Sequence, residues 1–108
     1  MANTFTSYGN KSVGTSAATI VTVGAATQTT IIGLSCANIS STAVYADVYF
    51  TRSGVDYYLI KAALVPVGGS LVVVGGDQKV VLTASDVLKV VSSVASSLDV
   101  VTSVLNIT

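Results

Sequence analysis

The chain has 108 residues, of which 51% are hydrophobic and only 9% charged, with five basic and five acidic side chains and a net charge of zero. Soluble domains usually carry about a quarter charged residues, and a net charge away from zero keeps like molecules apart in water. The totals fit one domain, give no basic patch for nucleic acid, and imply that other subunits rather than water cover much of the surface.

Residues 1–16 are small, polar and unpatterned, and hold two aromatic rings, Phe5 and Tyr8. They read as an extended N-terminal arm whose rings anchor on a neighbouring subunit. Deleting 1–16 is then expected to leave the rest folded and to abolish attachment. From Ser12 to Ala46 no side chain is charged. The remainder, 17–108, reads as one β-sandwich domain. Val, Ile and Thr make up more than a third of the chain, and β-branched residues fit a pleated sheet better than a helix. Strand-like runs recur at 17–23, 29–39, 43–51, 55–63, 69–74, 78–83, 87–93 and 98–107, separated by Gly, Ser, Asp and Pro turns. The best helix candidate, 85–94, is so rich in Val that a strand is expected there.

The clearest alternation runs through 43–51. Val44, Ala46, Val48 and Phe50 take one face, and Tyr45, Asp47, Tyr49 and Thr51 the other, as in one layer of a sandwich. A turn at Arg52-Ser53-Gly54 returns the chain with Tyr58 and Ile60 expected inward and Tyr57, Leu59 and Lys61 outward. Tyr45, Tyr49 and Tyr57 would then share one outer face, suited to a subunit contact because tyrosine is enriched at interfaces. Further on, Val80, Leu82, Leu88 and Val90 are expected inward. The fold expected is all-β: a single antiparallel two-sheet sandwich of jelly-roll or Greek-key kind, with about eight strands.

The chemistry of catalysis is thin. With no His, neither a Ser-His-Asp nor a Cys-His arrangement can form, and one Cys cannot build a structural zinc site. Asp47, Asp56, Asp77, Asp86 and Asp99 stand singly, mostly beside turns, where capping is their ordinary task. Gly68-Gly69 and Gly75-Gly76 read as hairpin turns, since no Lys-Ser/Thr follows them as a phosphate loop requires. Cys36 sits in an apolar run far from any cation, which predicts a buried, inert thiol. No enzymatic role, cofactor or metal is expected. Apolar runs are too short to span a membrane as a helix, and the start, Met-Ala-Asn-Thr-Phe-Thr, lacks a signal-peptide pattern, so synthesis and retention in the host cytosol are expected.

The stretch Thr30-Ile-Ile-Gly-Leu-Ser-Cys-Ala-Asn-Ile-Ser-Ser, with Val65-Pro-Val-Gly-Gly-Ser and Leu82-Thr-Ala-Ser-Asp following, resembles small β-sandwich accessory virion proteins of tailed bacteriophages. The likeness covers about residues 28–105 and departs at Ser85, where glycine would be expected. It implies a capsid decoration (cement) protein, a homo-oligomer and often a trimer, bound to the major capsid protein on the outside of the head. It implies no nucleic-acid or membrane partner. Phe5, Tyr8, Tyr45, Tyr49 and Tyr57 would be the subunit or capsid contacts. The alternative is a tail, baseplate or fibre component, with Tyr49, Arg52, Asp56 and Tyr57 as a possible receptor or glycan cluster.

Overall fold

The β-branched runs become strands. The computed structural model describes residues 3–75 and 79–108, and within them the chain forms β1 (Asn3–Val13), β2 (Ala18–Thr22), β3 (Gln28–Asn38), β4 (Val44–Arg52), β5 (Val55–Val65), β6 (Ser70–Val74), β7 (Val80–Leu82), β8 (Val87–Ser92) and β9 (Leu98–Ile107). The candidate helix at 85–94 is strand β8. No helix among the described residues is long and apolar enough to cross a membrane.

All pairings are antiparallel. Sheet A runs β1-β9-β3-β6, with β7 continuing the line of β6 along the same edge of β3. Sheet B runs β2-β8-β4-β5. The pairs are nested: first strand with last, β2 with β8, β3 with β6 and β7, and β4 with β5. A long hairpin rolled up in this way is a jelly roll. The two inner faces close on Ile31, Leu34, Val44, Val48, Val65, Leu82, Leu88, Val90, Leu98, Val100 and Val104, each essentially without solvent contact. Burying one such side chain stabilises the fold by about 1.5–3 kcal/mol, so this layer is the main source of stability. The inward expectations for Val44, Ala46, Val48, Leu82, Leu88 and Val90 hold.

The arm expected at 1–16 is corrected. Residues 3–13 pair with β9 from Asn3 opposite Ile107 to Val13 opposite Leu98. Val13 is buried, and Tyr8 packs against the core. This strand escapes the eye because its inward side chains, Thr6 and Asn10 among them, are polar and small. Only at Tyr8 and Val13 does the alternation show an apolar tooth. Residues 3–13 therefore belong to the sandwich, and the deletion of 1–16 removes an edge strand rather than a tether.

Turn chemistry explains the connections. Ser53 and Gly54, at φ 53° and 77°, make the two-residue turn between β4 and β5, the left-handed pair that matches strand twist. Pro66 to Gly69 closes with the Gly69 N–H on the Pro66 carbonyl at 3.0 Å, and Gly68 supplies φ 70°. In the turn before β8, the Asp86 N–H reaches the Thr83 carbonyl at 3.0 Å. Ser85 there takes φ 71°, the conformation for which glycine is the easy choice. Buried Asn38 ties the β3–β4 connection. Its Nδ2 donates to the carbonyls of Thr42 and Val65 at 2.9 and 3.0 Å, and its Oδ1 accepts the Ser40 N–H at 2.8 Å. The expected turn at Gly75-Gly76-Asp77 and the strand start at Gln78 lie, Gly75 apart, outside the described residues.

Candidate assembly surfaces

The two sheets present outer faces of opposite character. On sheet B, Tyr45, Asp47, Tyr49 and Thr51 of β4 point outward as the alternation requires. Their β5 neighbours differ from expectation. The turn after β4 is the two-residue Ser53-Gly54, not a three-residue Arg52-Ser53-Gly54, so Arg52 pairs with Val55 and Tyr49 pairs with Tyr58. A shift of one residue moves every side chain to the other face. Tyr58 is therefore outside, with its ring 4.9 Å from that of Tyr49, while Tyr57 lies on the opposite side of the sheet, stacked on Phe50 at 5.3 Å. Leu59, expected outside, packs against the core, because bulges in β5 break its alternation. The trio Tyr45, Tyr49 and Tyr57 does not share a face; Tyr45, Tyr49 and Tyr58 do.

This face is charged. Lys61 sits over the Tyr58 ring at 4.5 Å and 3.7 Å from Asp47, and Lys89 pairs across from Tyr49. Tyr49 is largely covered, and burial first, then Asp56, Tyr58 and Asp47 nearby, raises its hydroxyl pKa.

The outer face of sheet A carries little charge. Its strands carry only two charged side chains, Lys11 and Asp99, which pair with each other at 2.8 Å toward one end; Lys79 stands just before β7. Between them lie Ser, Thr, Gly and Ala, from which Phe5 (76% exposed), Val72 (67%), Val81 and Val101 project. The accessible surface, 5529 Å², is what a compact protein of 10.9 kDa should show, roughly 5,600 Å². The strands of sheet B, by contrast, hold Asp47, Arg52, Asp56, Lys61 and Lys89. Phe5 and Tyr8, three residues apart on a strand, point to opposite sides: Phe5 belongs to the outer face of sheet A and Tyr8 to the molecule's own interior. Val81 is exposed, as its place opposite Val80 and Leu82 in the alternation implies; Val72 and Val101 were not legible as surface residues, since an apolar run gives no sign of which member faces out.

Three of the described carboxylates, Asp47, Asp86 and Asp99, accept backbone N–H groups. Asp47 accepts the Ala62 N–H at 2.6 Å and so holds the β5 bulge. Asp99 accepts the Ser12 N–H at 2.9 Å and holds the bulge in β1; Lys11 and this backbone bond keep its carboxyl pKa below the usual range. Asp56 accepts the Thr51 hydroxyl at 2.7 Å. Asp86 is 1% exposed and takes Arg52 in a fork, Nη2 to Oδ2 at 2.6 Å and Nε to Oδ1 at 3.0 Å, with the Thr83 N–H at 2.8 Å. Arg52 also lies 5.0 Å above the Phe50 ring. The cluster Tyr49, Arg52, Asp56 and Tyr57 is therefore split: its arginine is engaged, and its two tyrosines face opposite ways. No group of three metal-ligating side chains occurs among the described residues.

Cys36 lies in β3 with no exposed surface, and burial pushes its thiol from near 9 up to about 11. In the folded protein a thiol reagent at pH 8 is expected to react no faster than the protein unfolds, measured by absorbance with and without denaturant. Cys36→Ala should cost about 1–2 kcal/mol in a denaturant titration, the scale of a small buried truncation.

No protein-family model and no curated protein sequence matches the chain. Among solved structures, a chain from Bacillus endospore appendages, described as a family of disulfide-linked pili, is similar over 99% of this chain and 87% of its own length, with a TM-score of 0.56 and 14% identity. At that identity the likeness is one of fold alone.

Proposed function

We propose that the chain is a structural subunit of a larger particle, with no catalytic role, and specifically an accessory protein on the outside of a bacteriophage head. The observation that carries this reading is the contrast between its two outer faces. A broad face with little charge and projecting apolar side chains is suited to permanent burial, because stable subunit interfaces are depleted in charge at their centre. The opposite face, with Tyr45, Tyr58, Lys61, Lys89 and Asp47, offers the amphipathic rings and screened charges suited to docking on a preformed lattice. A subunit that binds assembled capsomers better than free ones stabilises the assembly by mass action.

A second reading, a subunit of a fibre or appendage, is favoured by the likeness to the Bacillus endospore appendage chain. The disulfide linkage named for those pili could not run through Cys36, which is buried. The copy number in purified particles, by gel densitometry against the major capsid protein, tests both. Hundreds of copies support a head protein. A few to a few dozen support a tail, neck or fibre, and absence from particles overturns the virion reading.

A further inference from the structure

We infer that the outer face of sheet A is covered by the same face of a second copy of this chain, around a two-fold axis; this rests on the reading of the chain as an assembly subunit and names its partner. Three observations carry it. The first is charge: the two charged side chains within this sheet's strands, Lys11 and Asp99, neutralise each other at 2.8 Å, so a copy laid on a copy brings no unpaired like charges of these strands together. The second is area. At about 3.3 Å per residue along β9 and about 4.8 Å between strands, four strands give roughly 600 Å² in projection, before side-chain relief is added. A standard interface needs about 800 Å² per partner.

The third is shape. Small residues keep the middle of the face low, and Ser103 lies at its centre, opposite Ser7 on β1 and Gly33 on β3. On β1, Phe5 and Gly9 stand two residues to either side of Ser7. A two-fold axis across the strands through this row lays Phe5 of one copy on Gly9 of the other. Nothing lies within 4 Å of where a Gly9 Cβ would sit, and a shallow hollow of about 330 Å³ opens there beside Val101 and the Lys11–Asp99 pair. The same rotation sets Val72 of one copy toward Val81 of the other. The most exposed ring thus meets a vacant hollow, and an isologous contact repeats that fit twice. Such a contact closes as a dimer, in place of the three-fold cluster that the phage resemblance implies.

Sedimentation of the full chain at about 100 μM, well above a micromolar dissociation constant of the kind such interfaces reach at the weak end, is expected to show a dimer. Val101→Lys buries one unpaired charge per copy, set opposite Leu105 of the other copy by the same rotation, and should weaken association about a hundredfold or more, with the melting temperature of the monomer unchanged. Ser103→Cys should be joined to its copy by a short bismaleimide, while buried Cys36 stays unmodified. A wild-type monomer at that concentration overturns the inference, as does a Val101→Lys dimer as tight as wild type or a Ser103→Cys protein that is not cross-linked. A monomer present in hundreds of copies per particle would refute self-pairing and leave the structural role standing; a dimer absent from particles would do the reverse.

Discussion

Asp86→Ala is expected to be the most damaging single substitution of a polar side chain, lowering stability by about 2–3 kcal/mol in chemical denaturation. The carboxylate is buried and forks onto Arg52, while its own backbone accepts the Val23 N–H at 2.9 Å. One residue thereby joins the end of β2, the turn before β8 and the β4–β5 hairpin. Charge-assisted hydrogen bonds of this kind contribute about 1.5–3 kcal/mol each. The sum is discounted because Arg52 keeps 41% of its side chain in water, where solvent screens the pair. Burial alone would raise the Asp86 pKa; the Arg52 hydrogen bond outweighs it, and the carboxyl titrates below its usual range. A depressed folded-state value stabilises the fold above the unfolded value, about 4, and that contribution is lost as the pH falls through the folded one. Stability should therefore be flat from about pH 5 to 8, since the chain has no His, and fall below about pH 4. Arg52→Met should raise the Asp86 titration, followed by NMR, above that of an ordinary carboxylate. If Asp86 still titrates low in that variant, the fork is not what holds it.

Removing residues 1–16 is expected to leave no folded monomer. The truncation takes Val13 and Tyr8 from the core, strips β9 of its outer partner and bares the Leu98–Val104 side of sheet A. A buried Val and a half-buried Tyr together contribute about 3 kcal/mol. The ladder to β9 adds hydrogen bonds at about 1 kcal/mol apiece. Together these approach the whole stability of a domain this size, about 5–15 kcal/mol. Circular dichroism and solubility would check it. A soluble truncated protein with wild-type cooperativity would restore the tether reading of this segment.

Alternation was a sound guide where one face was apolar and the other polar. Val44 to Thr51, and Leu88, Lys89 and Val90 on β8, could be placed inward or outward one by one, and the all-β class followed. The strand order could not be read, because β-branched runs of similar composition do not specify which of them pair. Two local features misled. Small polar inward residues made β1 look like a tail, and a turn read one residue too long turned Tyr57 and Tyr58 over. The apolar projections of sheet A were hidden for a different reason. In Leu71 to Val74 every residue is apolar, so only the pairing of Val72 with Ser35 tells which side chain is left outside. Sequence reasoning anticipated the turn-capping use of Asp86, but not the bulge-holding use of Asp47 and Asp99. It missed that Asp86 is buried and paired, since its partner Arg52 comes 34 residues earlier.

The nested pairing also bears on how the molecule comes into being on the ribosome. Its outermost pair joins Asn3 to Ile107, so β1 must wait until β9 has been synthesised before its edge is satisfied. Topologies dominated by such distant contacts fold in milliseconds to seconds rather than microseconds. During that delay an apolar first strand would invite pairing with nascent neighbours. A segment of Asn, Thr, Ser and Gly is well suited to wait in water, and the polarity that disguises β1 as a tail gives the unpaired strand little apolar surface to offer those neighbours.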